Sequence, residues 1–161
     1  MTFVNDSTVD FIRRVQNHLQ MQTPLFKEIE RHLEYQGYTV VYEDGILKTD
    51  HTTKPRFWVH PSLHGALFMA LFALGPGAKA DRNLLFDFLN KSNIASEIAR
   101  FAANENSLVI SAWYPSVYEK RAFSEFFDQF LAEMNAPPSR HSDYVQKLFW
   151  DNSASSIPGL E

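Results

Sequence analysis

Between Asn83 and Pro115 the chain spells out a compact helix, a stop and a hairpin, and this order confines the fold more than any other stretch. Leu84, Leu85, Phe88 and Leu89 share one face at about 100° per residue, while Asn83, Asp87 and Asn90 lie opposite. Asp81 stands where a helix cap is needed. Asn90-x-x-Asn93 marks the helix end, because Asn tolerates the left-handed conformation and bonds local backbone. Two apolar strands follow, over 97–103 and 108–114. They are joined by Asn104-Glu105-Asn106 and closed by Pro115-Ser116. An isolated hairpin is marginal in water, so this segment calls for further strands and a covering helix.

The covering helix is written just downstream, over Ser116 to Asn135. Phe123, Phe126, Phe127, Phe130, Leu131 and Met134 occupy an arc of roughly 140°, and Arg121, Glu125, Asp128 and Gln129 face away. Pro137-Pro138 ends it. Such a stripe is either the core side of an amphipathic helix or a partner-binding face, and the pattern leaves both open. With 14 Phe in 161 residues, aromatic burial supplies a large part of any core.

Upstream, Ser7 or Thr8 caps a first helix whose stripe is Phe11, Ile12, Val15 and Leu19, and Asp10 suits its first turn. Thr23-Pro24 restarts the helix, with Leu25, Phe26, Ile29 and Leu33 inward, and Gly37 stops it. Strands are expected over Tyr38 to Glu43 and Ile46 to Thr49, joined by Asp44-Gly45, a pair suited to a type I′ turn. A loop spans Asp50 to Pro55, Phe57-Trp58-Val59 begins another strand, and Pro61-Ser62 makes a turn. Gly65 to Leu74 is apolar on both faces. It is a central strand covered on both sides or a short buried helix, which periodicity does not separate. Gly75-Pro76-Gly77 is a break, and a short helix over His141 to Trp150 comes last.

Two strand groups separated by helices argue for an α+β fold. The expectation is a twisted, mostly antiparallel sheet with helices on at least one face. Residues 1–150 form a single α+β domain, and 151–161, rich in Ser and small residues, form a loose tail.

Composition narrows the function. Hydrophobic residues make up 45% and charged residues 21%, as in a folded globular protein. There is no Cys, which removes disulfides, thiol catalysis and Cys-based zinc sites. Net charge is −4, and the basic pairs Arg13-Arg14 and Lys120-Arg121 are isolated, so no nucleic-acid partner is expected. The start lacks a basic region followed by an apolar block, and the longest apolar run, Ala66 to Leu74, is far below the ~20 residues that span a bilayer. No membrane association and a cytoplasmic location follow as expectations.

Candidate chemistry is thin. His60-Pro-Ser-Leu-His64 has metal-like spacing, but Pro61 and the strand context spoil it and no acid completes a ligand set. Gly75-Pro-Gly-Ala-Lys79 lacks phosphate-loop spacing. Arg140-His141-Ser142-Asp143 is a capped helix start, and no Gly-x-Ser-x-Gly elbow exists. No catalytic residue, metal ligand or cofactor is therefore expected. Trp58, Trp113 and Tyr114 are the candidate partner-binding residues, since aromatics at strand ends serve as interface anchors as readily as core.

One stretch has a counterpart. Leu84-Leu85-x-x-Phe88-Leu89-Asn90-x-x-Asn93, the hairpin from Ile98 to Tyr114 and the following amphipathic helix resemble the YbjN family of proposed bacterial sensory-transduction regulators. That family shares its fold with the class I type III secretion chaperones. The helix–Gly37–strand–Asp44-Gly45–strand order fits as well, so the resemblance covers roughly 23–135. It implies a type III secretion chaperone-like α+β fold, often dimeric, without enzymatic activity. The chaperone relatives hold an extended client segment, by strand addition or in a groove. The helices at 7–20 and 141–150 depart from the minimal pattern, and −4 is less acidic than is usual for secretion chaperones.

The leading expectation is a non-enzymatic protein-binding module, chaperone-like or regulatory, holding a segment of a partner protein. One alternative is a small enzyme or ligand-binding protein with a site near Asp50, His60 and His64. Another is a structural homodimer subunit.

Overall fold

The computed structural model describes residues 24–62, 64–115 and 117–135. The expected helix at 7–20, the cap at Thr23, the stop at Pro137-Pro138, the helix at 141–150 and the tail at 151–161 lie outside the described residues, as do the bounds of the 1–150 domain.

Helix α1 (Pro24–Tyr35) buries Leu25, Phe26, Ile29, His32 and Leu33. It stops where Gly37 turns left-handed (φ 88°), and the Gly37 and Tyr38 amides donate to Glu34 and Leu33. Strands β1 (Thr39–Glu43) and β2 (Ile46–Asp50) flank Asp44-Gly45, both at positive φ, as a type I′ turn demands. Then come β3 (Trp58–Ser62), β4 (Gly65–Ala73), α2 (Pro76–Ala80), α3 (Arg82–Ala95), β5 (Arg100–Ala103), β6 (Ser107–Pro115) and α4 (Lys120–Asn135). The six strands form one sheet in the order β1-β2-β3-β4-β6-β5, every neighbour antiparallel.

Of the two readings of Gly65 to Leu74, the strand is the one observed, as Gly65–Ala73. Several other local expectations are corrected. Pro61 and Ser62 belong to β3 rather than to a turn. The connection at 63–64 makes Ser62–Gly65 a hydrogen-bonded pair, so the Pro61 nitrogen points away from β4. It points to where β2 has ended, since β2 meets β3 only at Leu47–Val59 and Lys48–Trp58. Gly75-Pro76-Gly77 is no simple break, because Pro76 opens α2 from the Gly75 cap. Asn93 does not end its helix, which runs on to Ala95 with Ser96 at the C-cap. Helix α4 starts at Lys120, because the Glu119 carboxylate accepts the amides of Arg121 and Ala122. Those bonds also hold its pKa low.

Apart from Gly65, the buried strand positions belong to one face. Leu47, Val59, Ala66, Phe68, Ala70, Phe101, Leu108, Ile110, Ala112 and Tyr114 alternate with more exposed neighbours. Helix α4 lies against this face and brings Phe123, Phe127 and Phe130, each fully buried, so its Phe stripe is core. Phe68 packs 5.2 Å from Phe126 and 5.7 Å from Phe130, and Phe57 lies 5.6 Å from Phe127. The expected double-sided cover of β4 does not occur among the described residues. Leu67 and Met69 are half-buried and Leu71 is 42% exposed.

Glu133 on α4 fixes the link between α3 and β5. Its carboxylate accepts from Ser96 Oγ (2.5 Å), the amides of Glu97 (3.0 Å) and Ala99 (2.8 Å), and Gln129 Nε2 (2.8 Å). This is why β5 begins only at Arg100: the residues before it bond to Glu133 rather than to β6. Burial pushes the carboxyl upward, but these hydrogen bonds outweigh it and hold its pKa below the usual range. Glu133→Ala leaves buried donors without partners and is expected to cost about 3 kcal/mol in urea unfolding. Because the folded pKa is depressed, that stability is present above the unfolded carboxylate pKa. It disappears as pH falls through the folded pKa, so the gap between wild type and Glu133→Ala should close in acid.

Candidate partner-binding surface

The sheet face opposite α4 carries no helix among the described residues. Register aligns Val41, Lys48, Trp58, Met69, Ser111 and Arg100 in one row across it. His60, Leu67 and Trp113 form the next row on one side, and Leu71, Val109 and Ala102 the next on the other. Trp113 is 50% and Val41 52% exposed, and Trp58 is half-buried. Strand β4 runs between the two Trp residues, whose Cα atoms are roughly 12 Å apart by strand spacing and rise. The outcome is an apolar surface of Trp, Leu, Met and Val, bounded by Lys48 and Arg100. Lys48 donates to Glu43 at 2.5 Å.

Of the candidate partner-binding residues, Trp58 and Trp113 lie on this face and Tyr114 does not. Adjacent residues of a strand point to opposite sides, and Tyr114 takes the core side. It is buried, its ring 5.0 Å from Phe123, with its hydroxyl against Val117 and Glu119. Its proposed anchoring role is thereby corrected. The signal was in the sequence: if Leu108, Ile110 and Ala112 face the core, parity sends Tyr114 with them and Trp113 outward.

The alternative site does not assemble. Asp50 Oδ1 accepts from Arg56 Nε at 2.6 Å. The β2–β3 register sets it four positions, roughly 13 Å, along from the point opposite His60. His64 is exposed in the β3–β4 turn. His60 lies on the helix-free face, where burial lowers its pKa and its Nε2 has no hydrogen-bond partner. Among the described residues no group of three or more His, Asp or Glu could hold a metal. His32, the other histidine with a lowered pKa, is desolvated between α1 and α4 and bonds Tyr118 at 3.1 Å. It is part of the core rather than of a cleft.

The two sheet edges differ. At β5, Asn93 Nδ2 donates to the Phe101 carbonyl and Asn93 Oδ1 accepts the Phe101 amide, both at 2.8 Å. The side-chain amide thus takes the place of a neighbouring strand. At β1 no described residue does this. The two-residue turn makes Glu43–Ile46 a hydrogen-bonded pair, and pairs alternate. Val40 and Tyr42 therefore point their N–H and C=O groups to the open edge. β1 has no Pro, Lys or bulge to discourage pairing.

This architecture has a solved counterpart. The crystal structure of YbjN from E. coli, a proposed transcription regulator, superposes with a TM-score of 0.61 at 16% identity, over 78% of this chain and 96% of that one. The fold is YbjN-like. That agreement bears out the α+β, YbjN-like architecture implied by the motif around Leu84 to Asn93. No family model and no curated protein matches the sequence. Among the described residues of this YbjN-like chain, no helix is long and apolar enough to cross a membrane.

Asn93→Ala removes both bonds to Phe101 and uncovers the β5 edge. Unfolding in urea should show a loss of about 1–2 kcal/mol, and light scattering should show association beyond the wild-type state.

Proposed function

We propose that this chain is a non-enzymatic protein-binding module, chaperone-like or regulatory, that holds a segment of a partner protein against its helix-free sheet face. The observation that carries this reading is the pairing of Trp58 and Trp113 on one apolar face, separated by Leu67 and Met69 of β4. An extensive apolar face that the described helices leave uncovered is the ordinary mark of an interaction site. Indole side chains are the commonest energetic anchors of such sites. A rigid six-stranded sheet presents them without the cost of ordering a loop. The YbjN-like fold supports a regulatory setting, YbjN being described as a proposed transcription regulator. The separation of Asp50, His60 and His64 weighs against the enzyme alternative. The proposed setting is cytoplasmic, with no nucleic-acid or membrane contact.

The test compares capture from host lysate by wild type, Trp113→Ala and Phe86→Ala. Phe86 is exposed on α3 and is no part of the sheet, and it serves as the control. Trp113→Ala is expected to weaken retention of the specific partner by about 2 kcal/mol without shifting the thermal midpoint, and Phe86→Ala to leave it intact. Equal retention by all three would overturn the assignment of this face.

A further inference from the structure

We propose, on the reading that the helix-free face holds a partner, that His60 ties its occupancy to pH: an apolar segment is held at neutral pH and released in acid. Strand parity turns His60 outward between Trp58 and Ser62. Register sets Leu67 directly opposite it on β4, with Trp113 beyond on β6. Trp58 and Trp113 therefore flank it, one two residues back along β3 and the other two strands across. A segment resting on both indoles covers the ground between them, which is His60, Leu67 and Met69.

Among the described residues, His60 is the one titratable group at the centre of this face. The residue is half-buried, and its Nε2 is already shut off from water with no hydrogen-bond partner among those residues. Burial therefore favours the neutral ring. The groups facing it do not offset that. On β4 its neighbours are Gly65, Leu67 and Met69, and on β6 Ser111, Trp113 and Pro115, none of which titrates. On the other side, the β2 register brings Ile46 opposite His60 and Lys48 diagonal to it, with Glu43 beyond on β1. Lys48 and Glu43 pair with each other, and Asp50, further along β2, pairs with Arg56. His64, in the turn past Ser62, can add only a like charge.

Protonation gives both ring nitrogens a hydrogen, and the one on Nε2 meets no acceptor. An apolar segment laid over Trp58 and Trp113 removes the water the ring retains and deepens that cost. Binding and protonation thus oppose each other, and the bound chain has the lower His60 pKa. By linkage, affinity is level above the free chain's His60 pKa and falls by up to about tenfold per pH unit below it.

The uncharged dye Nile red serves as the apolar probe, titrated by fluorescence against the full chain from about pH 7.5 to about pH 5, the range in which histidine changes charge. Wild type should lose affinity severalfold toward acid, and Trp113→Ala should bind weakly at every pH. His60→Gln should hold one affinity throughout, because an amide does not titrate. It keeps Glu133 and every other acid-sensitive group, so it separates His60 from loosening of the fold in acid. The His60 ring protons, followed by NMR over the same range, should report a pKa below the ordinary histidine value that falls further with dye bound. Dye binding that ignores Trp113→Ala overturns the reading of the face and this proposal with it. Binding that depends on Trp113 but stays level across pH in wild type, or that falls equally in His60→Gln, overturns this proposal alone. So does a His60 pKa that rises when the dye binds.

Discussion

The packing of α4 against Phe57 and Phe68 is the contact on which the remaining structure depends. Phe57 lies 5.8 Å from Phe68 and 5.8 Å from Phe130, and Phe123 stacks 6.0 Å from Phe127. Aromatic pairs at these distances add about 0.5–1.5 kcal/mol each beyond their buried area. Once those rings claim one side of β3 and β4, strand alternation assigns every other side chain. Phe68 inward means Leu67 and Met69 outward, and Tyr114 inward means Trp113 outward. The apolar outer surface is thus a consequence of where the core was placed.

The sheet is then finished differently at its two ends. Around β5, polar side chains take up backbone groups at two places: Asn93 mimics a strand at Phe101, and Glu133 gathers the amides of the α3–β5 link. Both come from helices, so this end is locked by tertiary contacts. At β1 no such provision exists among the described residues. The strand is short, apolar and evenly paired to β2, with its alternate backbone groups free. Among the described residues, then, a side-chain amide covers part of one edge and the other edge carries no such cover.

Much of this was legible in the sequence, for reasons that are local. Gly37, Asp44-Gly45 and Asp81 announce themselves because positive φ and capping depend on single residues and their neighbours. The six strands, their hairpin links and the covering Phe helix follow from periodicity. What stayed hidden was long-range. Asn93 has the composition of a helix end, and only the fold reveals a strand eight residues later for it to bond. Glu133 borders the apolar stripe of its helix but has the type of a solvated residue, and only the fold brings the α3–β5 link against it. Pro61 looked like a turn because the early end of β2 is not written near it. Trp58 and Trp113 were singled out for their type, and the sheet register set them on one face. Tyr114 was misplaced although parity alone would have separated it from Trp113.

The central claim is that the helix-free face is the working surface. The most direct measurement is photo-crosslinking in the living host, with a light-activated residue placed at position 113, at 71 or at 86. The account predicts covalent capture of the same partner protein from positions 113 and 71, and none from position 86 on α3. Capture from 86, with 113 and 71 silent, would contradict it.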